Sequence, residues 1–140
     1  MAIRQLSAFL ENKPGSMVVV TEALSRAGVD MRAMSVADTQ DFGILRMIVN
    51  DPDAARDALT SEGILITENP VVAVGVPDEP GALTSLVRLL ADRKINVEYL
   101  YAFLAPMKGR AFVALRVPDA EAAEEIIRAA GFETVPEGAF

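Results

Sequence analysis

Apolar and polar positions change period several times along this chain, and each change marks an element. Ile3, Leu6, Ala8 and Leu10 sit in an apolar run that predicts a strand over Ile3 to Leu10. Asn12-Lys13-Pro14-Gly15 then turns the chain. Met17, Val20, Leu24 and Ala27 follow at three- and four-residue intervals, the stripe of an amphipathic helix over Met17 to Ala27, and Gly28 ends it. Val29 to Asp38 reads as a strand, Gln40 to Gly43 as a turn, and Ile44 to Val49 as the returning strand of a hairpin. Asp51-Pro52-Asp53 opens a second helix through Glu62, with an aspartate as N-cap. Gly63 closes it before a short strand, Ile64 to Thr67.

The same order recurs in the second half. It comprises strand Val71 to Val76, helix Leu83 to Arg93, strand Ile95 to Ala105, turn Pro106 to Gly109, strand Arg110 to Val117, helix Asp119 to Ala130, and strand Phe132 to Val135. Each half is βαββαβ. Right-handed crossovers turn that order into an antiparallel four-stranded sheet with both helices on one face, so the expected fold class is α+β, two ferredoxin-like units. Pro70 offers the boundary, placing the first domain at 1–68 and the second at 69–140.

The halves also match residue by residue. At a constant shift of 66, Pro14 falls on Pro80, Gly15 on Gly81, Leu24 on Leu90, Gly43 on Gly109, and Pro52-Asp53-Ala54 on Pro118-Asp119-Ala120. The register then slips by two, so that Gly63 matches Gly131, which places a two-residue insertion in the last helix. The matched residues are those with backbone roles at element ends, as expected of a duplicated fold.

Composition removes several classes of function. The 140 residues are 51% hydrophobic and 24% charged, with a net charge of −7, so the chain is globular with ample core material. The charge is spread evenly over both halves and neither half has a basic cluster, which argues against nucleic acid. Cysteine and histidine are both absent. That excludes disulfides, thiolate chemistry, the usual zinc ligand sets and histidine proton transfer, and no cofactor is expected. Apolar runs stop short of the ~18 residues a membrane span needs, and the start resembles no signal peptide, so no membrane and a cytoplasmic location are expected.

Two places carry candidate chemistry. In both halves a Pro-Gly turn joins a strand to a helix, baring backbone N–H groups to an anion: those of Gly15, Ser16 and Met17, and those of Gly81, Ala82 and Leu83. Asn12 and Asp78 head these turns, and both residues also suit an ordinary turn or cap. Tyr99, Tyr101, Phe103, Met34 and Met47 read as core residues, and Glu121, Glu124 and Glu125 as the wet face of the last helix. Lys108-Gly109-Arg110 reads as a solvated basic hairpin tip. RNA-binding versions of the fold need aromatics on the central strands, metal carriers need Cys-x-x-Cys, and acylphosphatase-like enzymes need an arginine in the first loop, where this chain has Lys13 and Glu79.

With those versions set aside, the chain resembles the ACT domain, written twice. The resemblance rests on Asn12-Lys13-Pro14-Gly15 and Asp78-Glu79-Pro80-Gly81, on the apolar residue two beyond each glycine (Met17, Leu83), and on the steps Gly28-Val29-Asp30 and Lys94-Ile95-Asn96. It implies a non-catalytic tandem regulatory protein that binds a free amino acid between paired domains. The Pro-Gly loop of one domain and the start of the second strand of its neighbour would hold the ligand. Asn12, Asp78, Asp30 and Asn96 would then receive its ammonium group, while the helix tips receive its carboxylate. The resemblance further implies a homodimer or higher homo-oligomer and a regulated enzyme or transporter as partner. The alternatives are a dimerisation module with empty loops and, third, a ferredoxin-like enzyme.

Overall fold

The computed structural model describes residues 2–38, 41–103 and 109–139, apart from the side chain of Asp38. Along these residues run β1 (Ile3–Glu11), α1 (Ser16–Arg26), β2 (Met31–Asp38), β3 (Phe42–Val49), α2 (Pro52–Ser61), β4 (Leu65–Pro77), α3 (Ala82–Asp92), β5 (Tyr99–Phe103), β6 (Arg110–Arg116), α4 (Ala120–Ala129) and β7 (Glu133–Val135). The order is βαββαβ twice, with the long β4 serving as last strand of the first half and first strand of the second, and the strands are antiparallel, so the fold is α+β and consists of two ferredoxin-like units. Contacts gather into two compact units, one of Arg4–Asn69 and one of Pro70–Ala139 with Ala2 and Ile3.

Sequence suggested two short strands on either side of Pro70, yet β4 is one extended strand through it. Proline's fixed φ suits extended backbone, and its missing N–H matters only where a ladder bond is needed. In the first unit β3 lies between β2 and β1. Its core joins Leu6, Ala8 and Leu10 of β1 and Leu45, Met47 and Val49 of β3 to Val20, Ala23 and Leu24 of α1 and Ala55 and Leu59 of α2. The second unit has the order β7, β4, β6, β5 and an equivalent core, in which Val72, Val74 and Val76 meet Leu86, Leu90, Ala123 and Ile127. Alternate strand residues face the helices, as the period of two requires.

Pairing registers relocate the insertion between the repeats. Leu6 pairs with Met47 and Val72 with Leu115, so β1 and β4 correspond at 66 residues but β3 and β6 at 68. Leu100 pairs with Leu115 as Met34 pairs with Met47, so β2 and β5 still correspond at 66. The two extra residues therefore lie in the β5–β6 connection, not in the last helix. Gly43 corresponds to Ala111, and the N-cap Asp51 to the N-cap Asp119; the matches of Gly43 with Gly109 and of Pro52 with Pro118 are coincidental. A hairpin end absorbs insertions because no core residue changes face there. The turns expected at Gln40 and over Pro106 to Lys108 lie outside the described residues.

Three burial expectations change. Met47, Tyr101 and Phe103 are core, but Tyr99 is only half-buried and Met34 is 45% exposed because β2 is an edge strand. Glu124 is buried rather than wet, and its carboxylate is held by Arg128 one turn on at 2.5 Å. Phe103 and Phe112 pair across β5 and β6 with ring centroids 5.7 Å apart.

Candidate functional site

The two Pro-Gly turns are the same structure made twice. Gly15 and Gly81 are the N-caps of α1 and α3, with φ 89°, ψ −12° and φ 89°, ψ −13°. That left-handed conformation is open to glycine and strained for residues with a Cβ. Lys13 donates to Glu11 O at 3.0 Å and Glu79 to Pro77 O at 2.9 Å. Ser16 donates to Lys13 O and Ala82 to Glu79 O, both at 3.3 Å. The turns are also tied to the neighbouring hairpin, Asn12 N–H to Asp41 O at 3.0 Å and Asp78 N–H to Gly109 O at 2.9 Å.

This bonding amends the set of free donors. The amides of Ser16 and Ala82 are engaged within the turns, whereas those of Gly15, Met17, Gly81 and Leu83 have no backbone partner among the described residues. Neither α1 nor α3 has a side-chain cap or an acidic residue in its first turn. The N-cap positions are glycines, so Asn12 and Asp78 head the turns without being the N-cap residues. The other two helices differ: Asp51 accepts from Ala54 N–H and Asp119 from Ala122 N–H, each at 3.1 Å, and Asp53 and Glu121 add negative charge to the first turns. Helix tips α2 and α4 thus carry their own anion, and tips α1 and α3 carry none.

Around the turns, Pro14 and Pro80 are exposed, Lys13 pairs with Glu11 at 3.1 Å, and Glu79 is exposed. Leu83 stands at one end of a shallow groove of about 380 Å³ that also touches Thr84, Val87, Arg88, Ala91 and Asp92 on the outer face of α3.

Asp30 and Asn96 occupy connectors rather than strand starts. Val29 N–H still bonds Leu24 O at 2.9 Å and Ile95 N–H bonds Leu90 O at 2.8 Å, so each helix's C-terminal motif runs on and delays strand pairing. Asp30 is clamped to Asn50: its N–H donates to Asn50 Oδ1 at 2.9 Å, and Asn50 N–H returns to Asp30 O at 3.1 Å. Its carboxylate meets Arg32 at 2.9 Å. Arg32 and Asn50 escaped the sequence reading; the alternation that places Asp30 and Arg32 two apart on extended backbone was the available signal. Asn96 is exposed, and none of the described residues partners its amide.

A second charged cluster lies elsewhere in the first unit. Arg4 of β1 bridges Asp53 at 2.7 Å and Glu68 at 2.6 Å, and Arg56 of α2 also binds Glu68. Hydrogen bonding to Arg4 holds the Asp53 carboxyl below its ordinary pKa, and the carboxylates raise that of Arg4. All four groups are in ion pairs with one another, so the cluster reads as structural. No helix is long and apolar enough to cross a membrane among the described residues.

A family description, the ACT domain pair, matches residues 1–139. The crystal structure of protein BT0572 from Bacteroides thetaiotaomicron is similar, with 33% identity, TM-score 0.93, and 99% of this chain and 95% of that one covered. The regulatory subunit of aspartate kinase from Thermus thermophilus, in its ligand-free form, shares the fold at 18% identity and TM-score 0.68 with 93% of each chain covered. So does the counterpart from Thermus flavus, at 18% identity and TM-score 0.63 over 93% of this chain and 94% of that one. No protein with a curated description matches. The duplicated βαββαβ order, the twin left-handed glycine turns and the full-length family match agree: the chain belongs to the ACT domain pair family.

Proposed function

We propose that this ACT domain pair is a non-catalytic regulatory sensor of a free amino acid. The carboxylate of the ligand lies at the tip of α1 or α3, against the amides beside Gly15 or Gly81, and its ammonium group is received by Asn12 or Asp78 and by Asp30 or Asn96 of a paired domain. One observation carries the reading. Of the four helix N-termini among the described residues, the two that follow Pro-Gly turns have no side-chain cap bond and no first-turn acid, while the other two have both. A carboxylate gains most where helix amides and dipole are uncompensated.

Occupancy would be passed on by a cytoplasmic homodimer or higher homo-oligomer, or to a regulated enzyme or transporter. The regulatory subunits of aspartate kinase are precedents for the fold in such a role. A second reading, an interaction module without ligand, draws support from exposed apolar side chains such as Val18, Val36 and Phe42. Melting the protein with each of the twenty standard amino acids separates the two. A specific ligand at a hundred times its Kd adds about 2.7 kcal/mol of stability. A flat panel sinks the sensor and leaves the interaction module.

A further inference from the structure

The two strand-side steps proposed to receive the ammonium group are chemically unlike. In the first unit Asp30 is anchored at both backbone groups by Asn50, and its carboxylate carries Arg32 at 2.9 Å. A guanidinium thus stands on the acceptor that the ligand's ammonium needs. In the second unit the residue corresponding to Asp30 is the neutral Asn96, and the one corresponding to Arg32 is Glu98, by the 66-residue correspondence of β2 and β5.

The nearby cation of the second unit is drawn off. Arg116 Nε lies 3.7 Å from Glu98, its Nη1 donates to Pro70 O at 3.1 Å, and Glu98 N–H bonds Arg116 O at 2.9 Å. Pro118 holds the place of Asn50, by the 68-residue correspondence of β3 and β6, so no equivalent clamp forms. Among the described residues nothing partners the Asn96 side-chain carbonyl, and Glu98, two residues away, faces Arg116 only at a long 3.7 Å, so no cation stands on the Asn96 acceptor as Arg32 stands on Asp30.

From this contrast, and resting on the sensor reading, we infer that the two steps are not equivalent: Asn96 receives the ammonium group, and Arg32 occupies Asp30 as an internal competitor for it. Each chain then binds one amino acid tightly, and the Asp30 step fills only when Arg32 leaves. The Arg32–Asp30 pair is largely exposed, with side chains 44% and 59% accessible, so it is a weak competitor that an excess of ligand can displace. A cationic side chain on the ligand would be repelled at that step and tolerated beside Glu98.

Isothermal titration with the twenty standard amino acids, on the full chain and on Arg32→Gln, Asp30→Asn and Asn96→Ala, tests this. The expected result is one tight site per chain, an affinity loss of roughly tenfold or more in Asn96→Ala, no loss in Asp30→Asn, and a second site in Arg32→Gln. Circular dichroism melting of each variant confirms that folding is intact; these side chains are exposed or half-exposed. Two equal sites in the unaltered chain, or an Asp30→Asn loss matching that of Asn96→Ala, overturns the inequality while leaving the sensor standing. No binding by any of the four proteins overturns both.

Discussion

Lys94 is the one non-glycine residue with positive φ among those described, at 58°. It follows α3 in the place that glycine holds after the other three helices: Gly28 at 71°, Gly63 at 77° and Gly131 at 92°. A side chain in that region costs about 1 kcal/mol. Lys94→Gly is therefore expected to raise the melting temperature by a few degrees, offset in part by the added freedom of the unfolded chain. Gly75 presents the opposite case. A Cβ there would stand 2.9 Å from Arg110 Nη2, 2.9 Å from Glu133 Oε2 and 3.0 Å from a Phe112 ring carbon. Gly75→Ala must displace the Arg110–Glu133 ion pair or the ring, and is expected to destabilise by about 1–3 kcal/mol in chemical denaturation. Neither residue stood out in the sequence. Lys94 was read only as part of the family-like step, and the crowding at Gly75 comes from side chains on β6 and β7, far away along the chain.

At the scale of elements, helix beginnings divide the molecule into self-sufficient and open tips. Asp51→Ala and Asp119→Ala each remove a carboxylate bonded to a first-turn amide, and each is expected to cost about 1 kcal/mol. Acid acts on a different set of contacts. Asp53 has its folded pKa lowered by Arg4, so this pair stabilises the fold above the unfolded pKa of about 4 and ceases to do so as pH falls through the lower folded value. Arg4→Met should therefore melt lower at neutral pH and show a shallower loss of melting temperature on acidification; equal slopes would remove Arg4 from that role. Strands and helices were legible because apolar spacing and Gly or Pro punctuation are local properties. The C-terminal motifs that delay β2 and β5 were not, since Val29 and Ile95 are apolar whether they bond to a helix carbonyl or to a neighbouring strand.

For the whole molecule, duplication was legible in the twin turns, but sequence matching alone put the two extra residues in the wrong place. Proline and aspartate near positions 52 and 118 aligned by accident, and only strand pairing, which is non-local, shows that Asp51 and Asp119 are the true counterparts. The insertion belongs to a hairpin end. Deleting Met107 and Lys108 would return that connection to the length of its first-unit equivalent. It is expected to change stability by no more than about 0.6 kcal/mol, seen as a melting temperature nearly unchanged.

That same hairpin end abuts the second Pro-Gly turn, through the bond from Asp78 to Gly109. A copy lengthened there keeps every buried strand residue in register, while the connection bonded to one Pro-Gly turn differs from its twin. Under the proposed sensor role, the twins can therefore drift apart in what they prefer without any repacking of the scaffold they share.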